Sequence, residues 1–163
     1  MRKSGLFVVM CSAAILALVC AGFYASIYLR AASPAEQDPW PQSQLIAPQT
    51  LAEELVSKGK KPHIVCVGVP ALFDSAHIPG AQMAGPANEA AGLAKLKQWA
   101  RRAPKNSRVV IYCGCCPFNV CPNIRPAYEA LRKAGLTNVQ VLALRSNFLT
   151  DWMDKGYPFE TEK

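Results

Sequence analysis

No charged residue occurs between Ser4 and Leu29, a stretch rich in Val, Leu, Ile, Ala and Phe. As a helix it would span roughly 37 Å, enough to cross the hydrocarbon core of a bilayer. The marks of a cleaved leader are missing. Arg30 stands directly before Ala31-Ala32, where a cleavage site prefers small neutral residues, and Val19 precedes Cys20 where a lipoprotein signal needs Gly, Ala or Ser. Residues 1–32 therefore read as an uncleaved N-terminal transmembrane helix, with cleavage after Ala32 as the alternative. Arg2 and Lys3 place the N-terminus in the cytoplasm by the positive-inside rule, so the expected setting is membrane-anchored with the domain in the periplasm or cell exterior. Internal repeats are absent, and so is the length for two cores: after a Pro-rich linker over 33–44, about 115–120 residues remain for one domain over 45–163. Strong charge is also lacking, since the net charge of +7 falls to +4 without Arg2, Lys3 and Arg30. Lys95, Lys97, Arg101 and Arg102 form the one local basic cluster, with no aromatic on that face, which reads as a solvated helix side and not a nucleic-acid surface. Finally, the positions six residues after Cys113, Cys115, Cys116 and Cys121 hold Asn119, Cys121, Pro122 and Ala127, so a Cys-x5-Arg phosphatase is excluded.

What is present alternates between helix and strand. Pro48 to Lys58 predicts a helix with Thr50 as cap and Glu53 three residues on. His63 to Val67 is a wholly apolar run suited to a strand buried on both faces. Leu93, Leu96, Trp99 and Ala100 recur at helical spacing between Ala87 and Arg102, ahead of Pro104. A strand over Arg108 to Cys113, a helix over Pro126 to Ala134 ended by Gly135, a strand over Val139 to Leu144 and a last helix over Asn147 to Lys155 complete the series. Strands separated by helices imply a three-layer α/β/α architecture with a mainly parallel central sheet, whose ligands gather at the carboxyl ends of the strands.

Cys113 stands at such an end, and Cys115, Cys116 and Cys121 follow within nine residues. A thiol that leaves a strand and turns at once toward a helix start faces backbone N–H groups and a positive dipole end, which lower its pKa and ready it as a nucleophile or ligand. The same cysteines admit other readings. Cys113-Gly114-Cys115-Cys116 contains a C-x-x-C suited to thiol–disulfide exchange. Four thiolates suffice for zinc, cuprous copper or an iron–sulfur cluster, although C-x-C-C-x4-C matches no common zinc spacing. Cys115, Cys116 and Cys121 could equally staple the loop as disulfides. Cys66 reads as core, Trp99 and Trp152 as core anchors, and His77 as the fixture of the turn at Pro79-Gly80. Arg125 either curls toward the loop as an anion-binding fork or faces water.

His77-Ile78-Pro79-Gly80-Ala81, Val110-Ile111-Tyr112-Cys113, Ala130-Leu131-Arg132-Lys133-Ala134-Gly135 with Asn138-Val139, and Asp151-Trp152 leading to Gly156-Tyr157-Pro158 together resemble the rhodanese-like domain, over about Leu45 to Glu160. The resemblance implies a rhodanese fold with the catalytic cysteine at the position of Cys113. It also implies sulfur transfer: a thiolate takes the sulfane sulfur of a small donor such as thiosulfate, holds it as a persulfide cradled by loop N–H groups, Gly114 among them, and passes it to a thiol acceptor. No resident cofactor is expected under that reading. Three departures stand out. The loop after Cys113 is longer than usual by roughly four or five residues; Cys66-Val67-Gly68 replaces the usual Asp-Val-Arg; and the Gly-Gly pair ahead of Trp152 is absent. The loop cysteines at 115, 116 and 121 are accordingly expected to act as a redox or sulfur relay beside Cys113, with a non-catalytic interaction module as the remaining alternative.

Overall fold

The computed structural model describes residues 40–162. The expected anchor and most of the linker lie outside the described residues, and among those described no helix is long and apolar enough to cross a membrane. Five parallel strands form one sheet in the order β1-β5-β4-β2-β3: β1 (Leu45–Ile46), β2 (His63–Cys66), β3 (Gln82–Met83), β4 (Arg108–Tyr112) and β5 (Asn138–Leu142). The helices are α1 (Pro48–Val56), α2 (Pro70–Ser75), α3 (Ala90–Arg102), α4 (Ile124–Lys133) and α5 (Phe148–Asp151), with short 3-10 turns at Gln42–Gln44 and Met153–Lys155.

The period-2 alternation of β4 divides the core. Val109 and Ile111 face one layer, built with α3 and α4 through Leu96, Ala100, Ile124 and Leu131. Val110 and Tyr112 face the other, packed with Leu51 of α1, Phe73 of α2 and Phe148 and Trp152. Burial on both faces explains why the central strands are continuous apolar runs. Arg108, at the start of β4, reaches Glu54 of α1 at 2.6 Å and Gln140 of β5 at 2.9 Å, tying the strand ends to a helix.

Several expected boundaries shift for identifiable reasons. Helix α1 starts at Pro48, whose fixed φ suits the first helical position; Thr50 lies inside the first turn and makes no cap, and Glu53 instead accepts from Gln49. Helix α4 starts two residues before Pro126, which sits in the first turn where no N–H is missed. Its end follows expectation: Gly135 is left-handed at φ +87°, with Gly135 N–H donating to Arg132 O and Leu136 N–H to Leu131 O, a Schellman closure. The last helix divides at Trp152 into α5, capped by Asn147 accepting from Thr150 N–H, and the 3-10 turn. The end of the Pro-rich stretch joins the folded body, with Trp40 edge-on to Tyr128 at 5.2 Å between ring centroids. His77 is buried, its Nδ1–H donating to Phe73 O at 2.9 Å and its ring stacked on Phe73, consistent with a turn-fixing role.

Candidate active site

The chain runs outward from β2 to β3, then crosses back to place β4 on the other side of β2. The carboxyl ends of β2 and β4 thus flank the point where strand order reverses, the usual position of a ligand site in an open parallel sheet. Cys113 follows β4 directly and continues the Val109, Ile111 face, so its side chain points toward the start of α4. Gly114 then turns the chain at φ +86°, a left-handed conformation that side chains resist, and its carbonyl accepts from Phe148 N–H at 2.9 Å. Farther along, Phe118 N–H donates to Leu144 O and Asn123 Oδ1 accepts from Asn88 N–H, so the long loop is held at both flanks and in its middle.

Donors converge on Cys113 Sγ. The Cys121 thiol contributes most, followed by the Cys115 backbone N–H, the Cys115 thiol at 3.2 Å and Asn123 Nδ2 at 3.4 Å. Burial alone would raise a thiol's pKa, but here hydrogen bonds to the charged form outweigh it and lower Cys113 to about 5. The donors shift the opposite way. Cys121 is pushed up chiefly by its bond to Cys113 and then by burial, and Cys115 by burial and then by its bonds to Cys116 and Cys113. Protons therefore stay on Cys115 and Cys121 while the negative charge rests on Cys113. Cys116 Sγ lies 3.1 Å from Cys115 Sγ, and the four sulfurs all lie within 4.8 Å of one another. All five cysteines of the described residues are free thiols.

Cys66, at the end of β2, is buried, as expected of core, and its thiol is pushed up to about 12 by burial; it approaches Cys113 O at 3.9 Å. The departure at Gly68 has a steric cause. A Cβ there would come within 2.2 Å of the Cys113 carbonyl oxygen and 3.1 Å of its sulfur, so no side chain fits beside this cysteine. Arg125 places its guanidinium over the Trp40 ring, 3.7 Å from the centroid, a cation–π contact that neither expected placement included. Asn123 was not singled out in the sequence. Its signal was available: an Asn directly before a helix, ten residues after Cys113.

The rhodanese-like domain family model matches residues 47–144. No curated protein matches the chain. Among solved structures, the BH2092 protein of Bacillus halodurans superposes with a TM-score of 0.58 at 18% identity, covering 74% of this chain and 78% of that one. The Alr3790 protein of Anabaena sp. gives 0.56 at 19% identity, covering 71% and 91%. A thiosulfate sulfurtransferase from Pseudomonas aeruginosa gives 0.53 at 22% identity, covering 81% of this chain and 22% of that one. These likenesses concern the fold, and the family match covers most of it, from the start of α1 to just beyond β5. With a parallel α/β sheet and a loop of cysteines after its central strand, the chain belongs to the rhodanese-like domain family, which has sulfurtransferases among its members.

Proposed function

We propose that this chain transfers sulfane sulfur through a persulfide on Cys113. The supporting observation is the set of donors around Cys113 Sγ, which favours the thiolate over the thiol near neutral pH. The thiolate attacks the sulfane sulfur of thiosulfate or of a small persulfide. A Cys113 S–S bond forms as the donor's S–S bond breaks, releasing sulfite or a thiolate. An acceptor thiolate then takes the outer sulfur and Cys113 departs as a thiolate, held by the same donors. The left-handed Gly114 and the Cys115 N–H form the anion cradle, without Arg125, whose guanidinium lies over Trp40. Attack by Cys115 or Cys121 on the persulfide instead would expel hydrosulfide and leave a disulfide, which an external thiol must reduce. The experiment is sulfur loading from both donor types, read by intact mass. Cys113→Ser should abolish it, whereas Cys115→Ser, Cys116→Ser and Cys121→Ser should each still load. The same proposal tethers the domain outside the cytoplasmic membrane through the Ser4–Leu29 segment. Protease added outside that membrane should then remove the domain, and a soluble species beginning near Ser33 would defeat this placement.

A second reading rests on the four sulfurs within 4.8 Å of one another. Metal–sulfur bonds of about 2.3 Å set tetrahedral thiolates about 3.8 Å apart, so one zinc or cuprous ion fits after small rotations, while an iron–sulfur cluster spreads its cysteines around several metal atoms. Metal in natively purified protein, lost in every one of the four Cys→Ser variants and accompanied by no sulfur loading, would replace the first reading. Neither sulfur nor metal would leave an interaction module.

A further inference from the structure

Charge is divided unequally between the two helical layers. The four basic residues of α3, Lys95, Lys97, Arg101 and Arg102, are all exposed, and Lys105 follows in the next turn. Helix α4, packed with α3 on the Val109 and Ile111 face of the sheet, adds Arg132 and Lys133, and Glu129 is the one acid within the two helices. The opposite layer has the reverse sign: Glu53 and Glu54 of α1, Asp74 of α2, Asp151 of α5 and Asp154 of the last 3-10 turn stand against a single lysine, Lys155. Lys58, Lys60 and Lys61 lie past the end of α1, in the turn that enters β2. Among the described residues no carboxylate pairs with a cation of α3, and no large apolar side chain of α3 or α4 is exposed, so this flank offers charge and not hydrophobic contact. The chain enters the fold on the same layer. Trp40 meets Tyr128 of α4 edge-on and lies under the Arg125 guanidinium. Ten residues, Arg30 to Pro39, separate it from the end of the uncharged Ser4–Leu29 segment, a contour of at most about 35 Å.

We propose that the flank made by α3 and α4 docks on an anionic phospholipid surface, that of the membrane in which the chain is held. The inference rests on the membrane tether proposed above and goes beyond sulfur transfer. Anionic headgroups attract each lysine and arginine near the surface, and the contributions accumulate over one face. A short tether replaces diffusional encounter with a high local concentration, so a flank too weakly charged to capture lipid from solution is held once the chain is anchored. Turned half-way round, the domain would present Glu53, Glu54 and Asp74 to the same headgroups and be repelled; the asymmetry of charge selects one orientation. The Trp40 contact favours that orientation, because the chain that leads to the tether leaves from the basic layer. Nucleic acids and acidic proteins share the charge of the headgroups but have no such tether.

The test is a lysine footprint of the full-length protein in nanodiscs made of phosphatidylcholine alone or with about 30% phosphatidylglycerol. A water-soluble amine reagent is applied at limiting dose, and each lysine is followed by peptide mapping. Lys95, Lys97 and Lys133 should react about threefold or more slowly in the anionic discs than in the neutral ones, while Lys58, Lys60 and Lys155 react equally in both. Salt at about 0.5 M should erase the difference. The double variant Lys97→Glu with Arg101→Glu should bring Lys95 and Lys133 to within about 1.5-fold of their rates in neutral discs, with sulfur loading on Cys113 unchanged. Equal reactivity in both discs, slowing of all lysines alike, protection of Lys58 and Lys60 in place of Lys95 and Lys97, or protection that survives the double variant would overturn the docking face. Protection of Lys95 and Lys97 by duplex DNA but not by anionic discs would overturn it too and assign the flank to nucleic acid. Failure of the full-length protein to enter nanodiscs of either kind would instead remove the tether, and this inference with it, leaving the chemistry of Cys113 untouched.

Discussion

The carboxyl ends of β2 and β4 lie side by side, Cys66 in register with Tyr112, and each delivers a buried cysteine. The two thiols are driven in opposite directions, Cys66 up to about 12 and Cys113 down to about 5. Burial acts on both. What differs is the chain that follows each strand. After Cys66 come Val67, sealed in the core, and Gly68, whose hydrogen bond offsets burial only in part. After Cys113 the long loop turns Cys115, Cys121 and Asn123 back onto the sulfur. A buried cysteine is inert or reactive according to the donors its loop returns to it, and one sheet holds a specimen of each.

The largest effect should come from exchanging sulfur for oxygen at the two strand ends. Cys113→Ser should lower sulfur loading by about 1,000-fold or more, since a serine hydroxyl neither ionises near neutral pH nor forms a persulfide. Cys66→Ser should leave loading within about threefold; a loss comparable to that of Cys113→Ser would show that the two ends act as one site. Next comes Gly68→Ala. The added methyl would meet the Cys113 carbonyl, so the fold should lose about 2–4 kcal/mol, measured by denaturant unfolding. Asn123→Ala removes one donor to the thiolate and should raise the half-ionisation of Cys113 by about one pH unit, slowing alkylation near pH 5 roughly fivefold.

The same contrast is seen as a difference between stability curves. Unfolded thiols ionise near 8.5. Folded Cys113 is already ionised above about pH 5, so between these values the unfolded chain binds the extra proton and stability rises with pH, by up to about 1.4 kcal/mol per pH unit. That contribution is complete above 8.5 and is lost as pH falls toward 5. Cys66 has the reverse sign, because it stays protonated in the fold to about 12 and so withdraws stability as pH rises above 8.5. Subtracting the curve of Cys113→Ser from that of the unmodified protein should leave a rise across the lower window. A flat difference would mean that Cys113 is not held as a thiolate.

The sequence disclosed what depends on local pattern. Val109-Val110-Ile111 and Val139 to Leu144 read as buried strands because both faces are covered, although the second strand ends at Leu142, and Gly135 marked the end of α4 because only glycine takes that turn without strain. The two-residue edge strands β1 and β3 carry too few residues for any period to register, and α2, six residues opening at Pro70, was equally silent. Cys113 was legible from its place after an apolar strand. Its donors were not, since the return of Cys121 and Asn123 depends on tertiary anchors at Phe118 and Asn88.

The central claim, that the loop holds Cys113 as a thiolate, is tested most directly by timed alkylation of the reduced protein across pH 4 to 9, with each cysteine followed by peptide mapping. The account predicts that Cys113 reacts first at every pH, with half its limiting rate near pH 5, while Cys115, Cys121 and Cys66 stay unlabelled until well above neutrality. Labelling of Cys115 or Cys121 ahead of Cys113 in mildly acidic solution would contradict it.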